Sequence, residues 1–251
     1  MALLEIRELT KRFLGVTAVD RVDLAIERGE LVSLIGPNGS GKTTLFNCVT
    51  GYLDADGGRV LFDGRDVTNA PPHRMARLGI GRTFQQVSVF PRLSVLDNLL
   101  VFVQQHQEED LLARLVRTRR QQHFEAEAVA RARGLLELVG LADRAATAAG
   151  ALSYGQRKLL AFAAALMPDP ELLLLDEPAA AVNPTMINQM KAHILAAHRQ
   201  GKTVLLVEHN MDVVMDISRR IIVLDGGRKI AEGPPDVIRR DPRVVEAYFG
   251  R

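Results

Sequence analysis

The sequence contains no tryptophan and one cysteine, and aromatic residues make up only 5% of its 251 residues. A single cysteine, Cys48, excludes any disulfide within the chain. Stability then has to come from a packed core, and a reducing compartment is the natural setting. Charge of one sign is also missing: 32 basic residues against 30 acidic ones leave a formal net charge of +2. A dedicated nucleic-acid binder carries a larger basic excess, so no nucleic acid is expected among the partners. No apolar run approaches the roughly 20 residues that a membrane-spanning helix needs. One of the longest, residues 159–167, falls well short. The first dozen residues alternate apolar with charged side chains, which reads as a strand rather than a secretory leader. If this protein serves a membrane, a partner has to provide the span. There is no internal repeat and no low-complexity tract.

Hydrophobic residues at 47% and charged residues at 25% supply a globular core and argue against disorder. The length fits one large α/β domain, or a core domain with a small insertion. Residues 3–9 and 22–26 read as strands, and 31–35 as a short, fully apolar one of the buried parallel kind. A helix is predicted from about Lys42 to Thr50, with Cys48 as a small core residue on it. Further strands are predicted at 59–62, 172–175 and 203–207, with a hairpin of 220–224 and 228–232 around Asp225-Gly226-Gly227. Helices are predicted at 73–78, from Ser153 to about Met167, at 186–200 and at 212–218, while 79–84 reads as extended. From about Leu93 to Leu141 the chain is nearly all helix-forming, which reads as a helical insertion. Within it, Arg114, Arg117, Arg119 and Arg120 form a basic cluster: a solvated helix face, or a contact with lipid headgroups or a partner. Strands alternating with helices imply a parallel sheet covered on both faces.

The strand at 31–35 runs directly into Gly36-Pro37-Asn38-Gly39-Ser40-Gly41-Lys42-Thr43-Thr44, with a helix behind it. Gly-x-x-x-x-Gly-Lys-Thr in that setting is a phosphate-binding loop. The glycines let backbone N–H groups turn inward, the helix start adds partial positive charge, and Lys42 reaches the outer phosphates of a nucleoside triphosphate. Thr43 offers a hydroxyl to Mg²⁺, which favours hard oxygen ligands. Downstream, Leu172-Leu173-Leu174-Leu175 ends in Asp176-Glu177. Ligands gather at the C-terminal ends of parallel strands, so Asp176 is placed to hold Mg²⁺ and Glu177 to polarise an attacking water as general base.

Leu152-Ser153-Tyr154-Gly155-Gln156, upstream of this acidic pair, resembles the signature motif of ATP-binding-cassette (ABC) proteins, and the ordered set of motifs matches that family across nearly the whole chain. The resemblance implies a P-loop NTPase α/β fold: a RecA-like parallel sheet with helices on both faces, an N-terminal antiparallel β subdomain, and a helical subdomain inserted at about 91–165. The whole of 1–251 would form a single ATPase domain using ATP and Mg²⁺. It implies that Phe13 stacks on adenine with Val19 beside it, and that Asn38, Gly39, Ser40, Gly41, Lys42, Thr43 and Thr44 hold the phosphates. It implies that Gln85 touches Mg²⁺ and the attacking water, and that His209 contacts the γ-phosphate. Ser153, Gly155 and Gln156 would act on ATP held by a second cassette subunit packed head to tail, with 180–183 crossing to that subunit. Tyr154 stands where glycine is more common, and Ala181-Val182-Asn183 departs from the usual sequence there, but neither removes a catalytic group.

A finer similarity, to ATPases of branched-chain amino-acid importers, rests on several stretches. They are Gly81-Arg82-Thr83-Phe84-Gln85, Leu93-Ser94-Val95-Leu96-Asp97-Asn98-Leu99 and Asp176-Glu177-Pro178-Ala179-Ala180. The C-terminal Ala231-Glu232-Gly233-Pro234-Pro235 and Ala247-Tyr248-Phe249-Gly250 fit as well. This similarity implies transmembrane permease subunits, a second ATPase subunit, a separate substrate-binding protein, and a place on the cytoplasmic face of the inner membrane. Urea, amide and lipopolysaccharide transporters, and more distantly soluble cassette ATPases, are the alternatives.

Overall fold

The computed structural model describes residues 2–83, 89–104 and 119–249. Two sheets organise the chain. β1 (Ala2–Phe13) and β2 (Val16–Glu27) form a hairpin, and β4 (Gly57–Phe62) and β5 (Arg65–Asp66) extend it into a four-stranded antiparallel sheet ordered β2-β1-β4-β5. The second sheet runs β10-β9-β3-β8-β7-β6. Its members are β3 (Leu31–Ile35), β6 (Ile80–Arg82), β7 (Leu172–Asp176), β8 (Thr203–Val207), β9 (Arg220–Asp225) and β10 (Arg228–Gly233). β6, β7, β8, β3 and β9 pair in parallel, and β10 closes the edge as an antiparallel hairpin with β9.

The central strands β3, β7 and β8 are buried at every position, which is why they read as unbroken apolar runs. Alternation sorts their side chains between two faces. Leu173 and Leu175 pack with Val204 and Leu206 against α5 (Tyr154–Leu166) and α6 (Pro184–Arg199). Leu172 and Leu174 pack with Val32, Leu34 and Leu205 against α1 (Lys42–Val49) and the antiparallel sheet. The first cluster also takes in α3 (Val95–Gln104) and α4 (Arg119–Leu138) through Val95, Leu99, Ala132 and Leu136. These helices pack on α5. Short helices α2 (Pro72–Arg77), α7 (Met211–Ile217), α8 (Pro235–Ile238) and α9 (Pro242–Phe249), with 3-10 turns at Ala142–Arg144 and Ala149–Ala151, complete the described elements.

Helix starts follow local chemistry. Ser153 caps α5 in a reciprocal capping box with Gln156, and Asn183 caps α6 ahead of Pro184. The N-terminal hairpin is longer than its sequence pattern predicts. Register shifts along β1 and left-handed backbone at Glu8 (φ 47°) and Arg21 (φ 48°) interrupt the two-residue alternation. A strand reading based on alternation therefore stops at residue 9, where the strand itself continues to Phe13.

Candidate functional site

β3 delivers the chain into a loop of three positive-φ glycines, Gly36, Gly39 and Gly41. Gly41 (φ 99°) is the N-cap of α1, and a Cβ there would collide with the carbonyl oxygen of Ala18 on β2. Only glycine allows that close approach. The loop is tied from outside by the β9–β10 turn, where Gly227 N–H donates to the Ser40 carbonyl at 3.1 Å. Lys42 is buried, and its ammonium donates to the Gly36 carbonyl at 2.7 Å and the Pro37 carbonyl at 2.9 Å. Burial lowers the Lys42 pKa, while the nearby carboxylates Glu177 and Asp176 favour its charged form. These groups line a cavity of about 460 Å³ formed by Ala18, residues 38–44, Glu177 and His209. A loop of positive-φ glycines, a helix start and a lysine make it a receptor for a polyphosphate anion.

Asp176 ends β7, buried behind this cavity. The Arg82 guanidinium lies 3.4 Å from the Asp176 carboxylate, and the Asp176 backbone N–H donates to the Thr83 hydroxyl at 3.2 Å. Burial raises the Asp176 pKa, and Arg82 opposes that shift. Glu177 follows in a left-handed conformation (φ 48°), a region costly for a residue with a Cβ. Its carboxylate reaches the His209 Nε2 at 2.5 Å. Two parallel strands thus bring together residues far apart in sequence: Asp176 ends β7 with Glu177 directly after it, and His209 follows two residues beyond β8. Among the described residues no group of three His, Cys, Asp or Glu side chains could hold a metal unaided. The cavity is lined by the Ser40, Thr43 and Thr44 hydroxyls and the Glu177 carboxylate, while the buried Asp176 carboxylate, next in sequence to Glu177, does not line it.

The remaining sequence-predicted residues fall in different places. Phe13 is exposed at the end of β1, with the Lys11 ammonium 5.4 Å from its ring centre. Val19 requires a correction. It is wholly buried in the core between the two sheets and does not line the cavity; its neighbour Ala18 does. Adjacent strand residues face opposite ways, and the bulges that obscure the alternation of this hairpin also hide which of the two faces the loop. Gln85 lies outside the described residues, as do Arg114 and Arg117 of the basic cluster. Ser153, Gly155 and Gln156 sit at the start of α5 and do not line this chain's own cavity. Sequence reasoning assigned nothing to Ala18, Lys158 or Glu208. Lys158 has a visible signal, a charge directly before the apolar run of α5, and Glu208 another, an acid directly after an apolar strand.

A parallel sheet that presents a phosphate loop, an acidic pair and a histidine at neighbouring strand ends defines the P-loop ATPases. The chain belongs to the ABC transporter family, whose profile matches residues 19–180, and it is an ATPase subunit of that family. A second profile, described as a branched-chain amino acid ATP-binding cassette transporter, matches residues 228–251. The chain is 43% identical to the high-affinity branched-chain amino acid transport ATP-binding protein BraF of Pseudomonas aeruginosa, over 99% of this chain and 98% of that protein. It is 41% identical to the corresponding protein LivG of Escherichia coli, with the same coverage of each chain. A solved ATP-binding cassette of an ABC transporter in its ADP conformation matches all of both chains, with a TM-score of 0.87 and 35% identity.

Proposed function

We propose that this chain is the ATP-hydrolysing subunit of an importer for branched-chain or related amino acids, working on the cytoplasmic face of the inner membrane. The observation that carries the catalytic part is the Glu177–His209 contact at the mouth of the phosphate cavity, at 2.5 Å. The substrate class rests on the full-length similarity to BraF and LivG and on the C-terminal profile match. Among the described residues no helix is long and apolar enough to cross a membrane. In this reading, transmembrane permease subunits form the path, a binding protein delivers the amino acid, and the whole chain is one cassette with its helical part at about 91–165.

Each residue has a task in this reading. Phe13 stacks on adenine, and residues 38–44 wrap the phosphates. Lys42 neutralises their charge from beneath. Glu177 accepts a proton from water as that water attacks the γ-phosphorus, and the bond to the β–γ bridging oxygen breaks toward ADP. His209 orients the γ-phosphate, and Gln85 helps to position the water. Bound Mg²⁺ would supply charge neutralisation at the phosphates, held by Thr43, Asp176 and Gln85. The donor set fits that ion, which takes few protein oxygens and leaves its other positions to phosphate and water. Ser153, Gly155 and Gln156 complete the site of a second ATPase subunit.

Glu177→Gln tests the assignment. Turnover is expected to fall at least about 100-fold, a typical loss for a general base, while ATP affinity in an equilibrium titration stays within about twofold. Near-normal hydrolysis would refute Glu177 as the base. The same variant, captured from its native cells with Mg-ATP in mild detergent, is expected to bring down polytopic membrane proteins. Recovery of ribosomes, DNA or soluble proteins alone would overturn the importer reading and leave the ATPase.

A further inference from the structure

Two buried charges close to the site have no part in the chemistry above. Lys158, on the second turn of α5, is buried, and its ammonium donates to the Glu177 backbone carbonyl at 2.7 Å. Its stem passes the Tyr154 ring, with the ammonium 5.7 Å from the ring centre. Glu208, at the end of β8, is also buried. One of its carboxylate oxygens accepts from Ala179 N–H at 2.7 Å, and the other from His209 N–H at 3.1 Å and Asn210 N–H at 3.4 Å. Burial lowers the Lys158 pKa, while the nearby carboxylates Glu208, Glu177 and Asp176 favour its charged form. The two side chains therefore link three segments. These are the start of α5, the turn carrying Glu177 and Ala179, and the loop carrying His209.

Glu177 needs such support, because its left-handed backbone is strained. Two further bonds act on the same residue: its N–H donates to the Val207 carbonyl at 2.9 Å, and its carbonyl accepts from Ala180 N–H at 3.1 Å. The Lys158 bond comes from outside the strand ends, from the helix capped by Ser153. We propose that Lys158 and Glu208 are a pair of positioning residues. They hold the Glu177 backbone in its left-handed conformation and keep its carboxylate over the phosphate cavity, so that the start of α5 and the His209 loop move with it. Neither residue lines the cavity, so neither is placed to touch the nucleotide. This proposal rests on Glu177 acting as the base.

The test compares Lys158→Met, Lys158→Arg, Glu208→Gln and the double variant Lys158→Met/Glu208→Gln, in the full chain, for kcat, KM and melting temperature. Lys158→Met is expected to lower kcat about 100-fold, the scale of loss for a misplacement of about 1 Å, with KM for ATP within about twofold. Lys158→Arg, which keeps a donor and a charge, is expected to recover part of that kcat. Lys158→Met and Glu208→Gln each strand one buried charge or its partner groups, so melting is expected to fall by roughly 10 °C. The double variant removes both charges and is expected to regain most of that melting temperature while its kcat stays low. If kcat recovers together with melting, the pair is a structural ion pair only and the proposal fails. Near-normal kcat in Lys158→Met also refutes it. Glu177→Gln run alongside separates the two claims. Turnover surviving there overturns the base assignment, whereas its loss beside an active Lys158→Met overturns only the positioning role.

Discussion

Replacing Gly41 by alanine probes the phosphate loop at its least tolerant point. The residue sits at φ 99°, where an L side chain is strained, and its Cβ would run into the Ala18 carbonyl oxygen. The strain alone costs about 1–3 kcal/mol. The oxygen must also retreat by about 1 Å before ordinary contact is restored. Ala18 precedes Val19, which is locked in the core, so β2 cannot move away freely. The loop is held on its far side by Gly227, whose Cα lies 3.5 Å from the same Cβ. The collision is therefore relieved by turning the loop away from the shape that receives the phosphates. At 1.4 kcal/mol per decade, ATP affinity is expected to fall about 10–100-fold. Whatever strain stays in the native fold lowers the melting temperature, by about 2–4 °C per kcal/mol in a chain of this size. A fluorescent-nucleotide titration and a thermal melt read the two parts. Affinity within twofold of the parent together with an unchanged melt would refute the geometry of the loop.

Val19→Ala separates core from site: it is expected to cost about 2 kcal/mol of stability by leaving a cavity, with ATP affinity unchanged. A selective loss of affinity would return Val19 to the nucleotide site. Burial pushes the Cys48 thiol up to about 11. The native chain at pH 8 is therefore expected to resist alkylation that the denatured chain undergoes readily. Rapid modification under native conditions would show that α1 opens.

Much of this site is legible in the sequence because its parts are local. The phosphate loop needs glycines at fixed offsets between one strand and one helix. The α5 cap needs only Ser153 and Gln156, and the acidic pair needs only an apolar strand ending in two carboxylates. Element positions follow for the same reason, with edges off by a residue or two: α6 begins at Pro184, where the apolar period alone starts it at Met186. The N-terminal hairpin is less legible, because bulges at Glu8 and Arg21 break the period on which strand reading depends.

The class of chemistry, an ATPase, is already written in the order in which loop, acids and histidine follow one another along the chain. Which side chains share a space depends on how the elements pack. Sheet order places β8 between β3 and β7, and so sets His209 against Glu177 beside the loop that follows β3. The facing of one strand puts Ala18 at the cavity and Val19 in the core. Lys158 reaches the Glu177 carbonyl, and Arg82 reaches Asp176, only because a helix and an edge strand pack where they do. Local motifs are encoded within a few residues by backbone geometry and nearby hydrogen bonds. Contacts between distant segments depend on how two sheets and their helices bury their apolar faces together, and no short stretch of sequence carries that information.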